Sequence, residues 1–270
     1  IVYEPDASVY HWHGIHQDLS SERARNIVKI LEGIDGLKSD GVHQKPEDIK
    51  ILAVIPSRGE TLHMNGTPLI ERTIKAALQS KFITDIVVAT DNEKTMTVAK
   101  NLGIEVPFIR PKGLSEDYID VFDVVNYTVD FLEQKNKHYN LVILLEEIYP
   151  FRVNNMIDEM IKDIVFNGYD TVVAGMVEGR SVWRKASNKI EPLDKQEGVL
   201  MPSILKESKK IISMTGLCCV THTATLRNNF VFSGSVNFFE VNDALSFVST
   251  KNHREMEIAS VLEKGLISEK

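Results

Sequence analysis

A chain of 270 residues, 43% hydrophobic and 26% charged, has room for one large or two small globular domains. Its formal charge of −7 and pI near 5.7 argue against nucleic acid or an anionic membrane surface as the main partner. No apolar run is long enough to span a bilayer, no secretory signal pattern opens the sequence, and the two cysteines, Cys218 and Cys219, are adjacent and poorly placed to pair, so free thiols in the cytoplasm are expected.

The sequence starts at Ile1 rather than at a methionine, and a piece of a longer protein is expected. Residues 1–20 hold His11, His13 and His16. In an extended segment His11 and His13 share a face, so these imidazoles are a candidate divalent-metal set. The alternative, an exposed terminal segment without a ligand, is the one that spacing alone favours. Ile27, Ile30, Leu31 and Ile34 predict a helix over 21–35, capped by Ser20 or Ser21. Gly36 to Asp48 is rich in Gly, Lys and Asp and reads as a linker, which places a boundary between 1–48 and 49–270.

From Ile51 the pattern is strand, loop, helix, repeated. Ile51 to Pro56 is apolar enough for a buried parallel strand and runs into Ser57, Arg58 and Gly59. A helix is predicted from Pro68, with Leu69, Ile70, Ile74, Ala77 and Leu78 on its apolar face. A strand, a small polar loop carrying an arginine and then a helix can bind phosphate through loop amides and the helix N-terminus. A guanidinium at Arg58 suits a triphosphate; a surface pairing with a carboxylate is the plainer reading. Ile86 to Thr90 predicts a second strand ending in Asp91, which either holds Mg²⁺ or caps the helix predicted over Thr95 to Leu102.

Val106 to Ile109 is read as a third extended piece, and Asp120 to Gln134 as a long helix. Leu141 to Leu145 is a further strand, ending at Glu146 and Glu147. Adjacent residues of an extended chain point opposite ways, so this pair reads as a solvated strand end rather than as paired catalytic carboxylates. Met156 to Ile164 predicts a helix and Thr171 to Ala174 a strand. Residues 175–215 are less regular, Leu217 to Thr221 and Val236 to Val241 are later strands, and Met256 to Leu262 is a closing helix. The fold class is therefore α/β: a mostly parallel sheet with helices on both faces, in three Rossmann-like layers. The loops at Ser57–Asn65, Asp91–Asn92 and Glu146–Arg152 are expected to share one rim at the carboxyl ends of the strands.

Two resemblances sharpen this reading. Tyr3, Pro5, Ala7, Val9, His11 and His13 resemble the closing segment of GT-A fold, family-two glycosyltransferases, which implies that residues 1–48 are the remnant of an upstream glycosyltransferase-like domain plus a linker. From about Lys50 onward the chain resembles the acylneuraminate cytidylyltransferases (CMP-sialic acid synthetases). The resemblance is carried by ILAVIPSRG, NGTPLIERTIKAALQSKFITDIVVATDN, AKNLGIEVPFIRP, DVVNYTVDFLE and YNLVILLEEIYPFR in that order, and its R-P-x-x-L-S-x-D loop is more like the neuraminate branch than the Kdo branch.

The resemblance implies a nucleotidyltransferase fold, a homodimer exchanging contacts through 175–235, CTP and an acidic sugar as substrates, Mg²⁺ as cofactor, and attack of the sugar's anomeric hydroxyl on the α-phosphate with release of pyrophosphate. Carried over by position, Ser57, Arg58, Gly59, Ala89, Thr90 and Asp91 border the nucleotide, with Arg58 and Asp91 as the catalytic pair. Arg110, Glu146, Tyr149 and Arg152 border the sugar, and Asp91 and Glu240 are the metal ligands.

The chain departs from the family pattern at three places. The loop after Arg58 is short and lacks the family's lysine. The family's Q-P-T-S-P reads Glu146, Glu147, Ile148, Tyr149, Pro150. The late D-x-D falls on Glu240, Val241 and Asn242. A second function is therefore carried beside the first: a non-catalytic cytidylyltransferase-like domain that serves binding or assembly.

Overall fold

The structure is a computed structural model that describes residues 45–180, 182–187, 189–192, 210–227, 231–232 and 234–268. The histidine set at 11–16 and the helix expected over 21–35 lie outside the described residues. Pro46–Asp48 form one 3₁₀ turn with Pro46 buried, directly ahead of the first strand.

The organising element is β1 (Ile51–Ser57), whose seven residues are all buried. Its side chains alternate between two cores: Ile51, Ala53 and Ile55 face one and Leu52 and Val54 the other. Each of its larger side chains contributes roughly 1.5–3 kcal/mol by leaving water. On the first face lie α1 (Leu69–Leu78), α2 (Glu93–Asn101) and α4 (Met156–Asn167); on the second lie α3 (Val121–Glu133) and α5 (Thr223–Arg227). The expected three layers are thus in place. Their ends follow capping chemistry. The Asp120 side chain accepts from Phe122 N to open α3, Asn92 accepts from Lys94 N and Thr95 N to open α2, and Gly168 closes α4 at φ +68°.

The main sheet has the order β11-β6-β10-β5-β1-β4, with β9 (Lys210–Ser213) paired to β6 (Thr171–Glu178). Both β4 (Asp85–Thr90) and β5 (Leu141–Leu144) run parallel to β1, with Ser57 opposite Thr90 and Val54 opposite Leu144. β10 (Cys219–His222) is antiparallel to β5 and β6, and β11 (Val236–Glu240) is parallel to β6. Five strands therefore share a direction while β9 and β10 oppose it, in keeping with a mostly parallel sheet. The piece expected at Val106 to Ile109 is not a strand; Glu105, just before it, forms a single bridge with Val87.

The stretch after Arg58 is more structured than a loop. β2 (His63–Met64) and β3 (Thr67–Pro68) form a hairpin turned by Asn65 and Gly66 at φ +48° and +83°. Asn-Gly is the pair that a two-residue turn with both φ positive selects. Met64 is buried against Leu69 and against Ala259 of α6 (His253–Ser268). The Glu263 carboxylate takes both Arg72 and the Asn65 amide, which fastens the hairpin to that closing helix.

Candidate active site

The parallel register of β1, β4 and β5 brings their carboxyl ends to one rim, and the three expected loops meet there. Gly59, at φ +71°, donates its N–H to Asp91 Oδ1 at 2.8 Å. Ser57 Oγ donates to Glu147 Oε1 at 2.7 Å and Thr61 Oγ1 to Glu147 Oε2 at 2.5 Å. The 110–117 segment joins them, because Arg110 N donates to Thr90 O at 2.9 Å.

Two guanidiniums converge at this rim. Arg58 is half exposed; its Nη1 reaches Ser115 O at 3.3 Å and forms an ion pair with the open Asp117 carboxylate at 2.5 Å. Arg110 is only 8% exposed and donates from Nε and Nη2 to Leu114 O. Its Nη1 has no protein partner among the described residues. Burial lowers the Arg110 pKa, Asp91 opposes that, and the Arg58 charge lowers it further. Burial also works against ionised Asp91, but the Gly59 N–H, the Ser115 hydroxyl and Arg110 together outweigh it and hold its pKa below the usual value. The result is a fixed carboxylate near Arg110, which in turn feels the charge of Arg58, in a chain of net negative charge.

The expected phosphate cradle of amides is closed. The hairpin stands between the Arg58 loop and α1, so the helix N-terminus bonds back to the loop: Leu69 N donates to Leu62 O at 2.8 Å and Ile70 N to Thr61 Oγ1 at 3.2 Å. Gly59 N is held by Asp91, and Thr61 N by Thr95 Oγ1 at 2.9 Å. These four amides are thus engaged within the protein, while the Arg58 and Arg110 guanidiniums stand at the same rim.

Several expected site residues serve the scaffold. Ala89 and Thr90 are fully buried inside β4, and Ser57 is 3% exposed with its hydroxyl spent on Glu147, so they back the site rather than face it. Tyr149 is buried in the core under the rim, and burial, with Glu146 nearby, raises its pKa. Arg152 donates from Nε to Leu217 O, from Nη1 to Thr73 Oγ1 and Tyr149 O, and from Nη2 to Glu146 O and Gly216 O. All five of its N–H donors are thereby used, which leaves none for a sugar carboxylate. Burial of this guanidinium pulls its pKa down to about 10.

Glu146 and Glu147 are not solvated strand ends. Burial raises both pKa values. Glu147 bonds the two hydroxyls, while the Glu146 carboxylate lies against Gly216, close to Lys251, Arg152 and Asp120.

Asp91 is not the helix cap, since Asn92 does that work. Glu240 is exposed at the end of β11, with four strands between it and β4. Asp243 is spent capping the 3₁₀ turn Ala244–Phe247 through Ser246. Among the described residues no group of three or more His, Cys, Asp or Glu is placed to hold a metal ion. Mg²⁺ commonly takes one or two protein carboxylates beside phosphate oxygens, and Asp91 fits that lesser role.

Lys251 is the residue that the sequence did not point to. Thr250 donates its N and Oγ1 to Ile148 O, and Ser246 donates to Phe151 O, so the segment after β11 lies along the Glu146–Arg152 loop. No local pattern marks a lysine a hundred residues downstream as part of this rim.

A family model for cytidylyltransferases matches residues 61–208, more than half of the chain. The chain belongs to the cytidylyltransferase family. It is 29% identical over 167 residues to the CMP-N,N'-diacetyllegionaminic acid synthase of Legionella pneumophila, covering 59% of this chain and 69% of that one. It is 30% identical over 127 residues to the pseudaminic acid cytidylyltransferase of Campylobacter jejuni serotype O:23/36, covering 44% and 55%. To the N-acylneuraminate cytidylyltransferase of Escherichia coli O18:K1:H7 it is 31% identical over 156 residues, covering 54% and 34%. Its matches thus span from about two thirds to one third of these relatives' length. The fold is shared with a CMP:2-keto-3-deoxy-manno-octonic acid synthetase solved in complex with CTP, at TM-score 0.57 and 13% identity over 80% of this chain and 99% of that one. It is also shared with a 4-diphosphocytidyl-2C-methyl-D-erythritol synthase from Anaerococcus prevotii, at TM-score 0.55 and 12% identity over 80% and 99%.

Proposed function

We propose that this chain is a CTP-dependent cytidylyltransferase that joins CMP to an acidic sugar and releases pyrophosphate. The observation that carries the reading is the gathering of Arg58, Arg110 and Asp91 at the carboxyl ends of β1 and β4, where Arg110 feels the charges of both the others. The Asp117 carboxylate on Arg58 marks where an anionic oxygen is received. That pair is solvent-exposed and worth about 0–1 kcal/mol, so a phosphate displaces it at little cost. Arg58 and the free Nη1 of Arg110 then grip the triphosphate, each charge-assisted bond contributing roughly 1.5–3 kcal/mol.

The displacement at the α-phosphate calls for charge neutralisation and in-line positioning rather than a covalent intermediate. Arg58 and Arg110 supply the first from the protein side. Asp91 holds the Arg58 loop through the Gly59 N–H and is the carboxylate that would hold Mg²⁺, which would supply further neutralisation of phosphate charge when bound. Glu146 and Lys251 border the sugar from the β5 side, with Lys251 the nearest cation for the sugar's carboxylate. The relatives named for legionaminic, pseudaminic and N-acylneuraminic acids support a sugar acid as acceptor.

A homodimer is part of the proposal. The exposed hairpin of β7 (Trp183–Ala186) and β8 (Lys189–Pro192), with Trp183 and Ile190 open to solvent, supplies an apolar surface for a second copy. The free, buried Cys218 and Cys219 suit a reducing compartment, and the cytoplasm is the proposed location. No described helix is long and apolar enough to cross a membrane.

The deciding experiment incubates the protein with CTP, Mg²⁺ and a panel of sugar acids and follows pyrophosphate. Release with at least one acid is expected. No release together with no CTP-induced thermal shift would refute the proposal, and CTP binding without turnover would establish the non-catalytic alternative.

A further inference from the structure

We infer that Glu147 is a positioning residue that fastens both ends of the Arg58 loop and so holds Arg58 towards the phosphates; this rests on the cytidylyltransferase reading above. Ser57 directly precedes Arg58 and Thr61 closes the loop three residues after it. One carboxylate receives both hydroxyls, at 2.7 Å and 2.5 Å. The fastening runs across the sheet, from the loop after β5 to the loop after β1.

The chemistry calls for an acceptor-only group at this place. Thr61 Oγ1 already accepts the Ile70 N–H at 3.2 Å, so its own hydrogen is free to be donated. Ser57 Oγ donates as well, and an ionised carboxylate takes two donors with no hydrogen of its own to place. An amide offers one acceptor oxygen and two N–H groups, and one of the two contacts would have to reverse.

Glu147 is also costly where it stands. Burial raises its pKa, and only the two hydroxyls oppose that, without a cation beside it. A half-buried carboxylate without an ion-pair partner spends folding free energy. What it gains is the order of one loop. Asp91 holds Gly59 N, and the Thr95 hydroxyl bridges Gly59 O and Thr61 N, so the loop is held on the β4 side by these groups and on the β5 side by Glu147. The short loop, which lacks a lysine, thus presents its arginine from a braced support.

The test compares wild type, E147Q, R58Q and the double variant by amide hydrogen exchange and by calorimetry with CTP. E147Q is expected to speed exchange at Gly59 and Thr61 by about tenfold or more while leaving Val54 and Val88 unchanged. It is expected to weaken CTP by about tenfold in the wild-type background and by less than about twofold on R58Q, because both changes act through one guanidinium. Exchange unchanged at Gly59 and Thr61, or penalties that multiply in the double variant, would overturn the inference while CTP binding by wild type leaves the functional reading standing. No CTP binding by wild type would overturn that reading and the phosphate-facing part of the inference, and the exchange result would still decide whether Glu147 braces the loop. If E147Q does not fold, S57A removes one of the two donors and is expected to give the same pattern with smaller shifts.

Discussion

Replacing Arg152 by alanine removes five hydrogen bonds at once, and their partners set the size of the effect. Gly216 O keeps a second donor, Glu146 N at 2.8 Å, and the Thr73 hydroxyl can turn to another partner. The carbonyls of Glu146, Tyr149 and Leu217 have no other donor among the described residues. At roughly 1–3 kcal/mol per orphaned buried acceptor, with partial rescue by entering water, the expected loss is about 3–5 kcal/mol. Against a usual total of about 5–15 kcal/mol the variant still folds, but it is marginal. Arg152→Lys keeps the charge and offers three donors without the planar fork, so it is expected to lose about 2 kcal/mol. Urea unfolding followed by circular dichroism measures both, with the midpoint moving and the slope unchanged. A loss below about 1 kcal/mol for Arg152→Ala would refute the clamp and return Arg152 to the candidates for substrate contact.

Further tests address neighbouring features. A Cβ on Gly216 would collide with Glu146 Oε1, so Gly216→Ala must displace that side chain; a loss of about 1–3 kcal/mol is expected, together with a raised KM for the sugar acid in the pyrophosphate assay. Burial, the largest influence on Glu146, raises its pKa in the fold, so the ionised form opposes folding as pH rises through the window between its unfolded and folded values. Glu146→Gln should therefore raise Tm at pH 8 and leave it nearly unchanged at pH 4; equal shifts at both would refute the assignment. Asp91→Asn removes the negative charge near Arg110, and metal-free CTP binding is expected to tighten by several-fold while Mg²⁺-dependent turnover falls by about a hundredfold. Burial opposes ionised Glu263, but Arg72 and Asn65 outweigh it and lower its pKa, so the stability it contributes is present above the unfolded value and fades as pH falls through the folded one. Glu263→Gln should cost about 2 kcal/mol near pH 7 and progressively less in acid, as read from denaturation midpoints.

The parts of this fold that were legible in the sequence are those set by local pattern. The core strand at Ile51 is marked by its apolar run, the helix opened by Asp120 by apolar spacing and a capping residue, and the helix from Met156 by apolar spacing alone. Asn65-Gly66 also carries a hairpin signal, yet strands of two residues are too short to show alternation, so Ser57–Asn65 reads as a loop. The reversal of β10 has no local signature, because Cys219 to His222 are chosen for burial on both faces whichever way the strand runs. Arg152 and Glu147 were misread for one physical reason. A charged residue after a strand end can face solvent, a ligand or the scaffold, and only tertiary hydrogen bonding decides between them. Lys251 joins the rim solely because Thr250 and Ser246 hold its segment to the β5 loop.

The departures at Arg58 and at Glu146–Glu147 belong together. A long phosphate loop brings its own amides and a lysine to the anion, and needs flexibility to do so. Here the hairpin shortens the path to α1, and the helix's first amides are satisfied at home by Leu62 and Thr61. What the loop presents is a half-exposed guanidinium, paired with Asp117, on a support braced from β4 by Asp91 and from β5 by Glu147. With fewer donors, each must be better placed, since a pre-ordered group spends less entropy when the ligand arrives. On this view the glutamate in the loop after β5 is the counterpart of the missing lysine: one departure supplies the rigidity that the other requires.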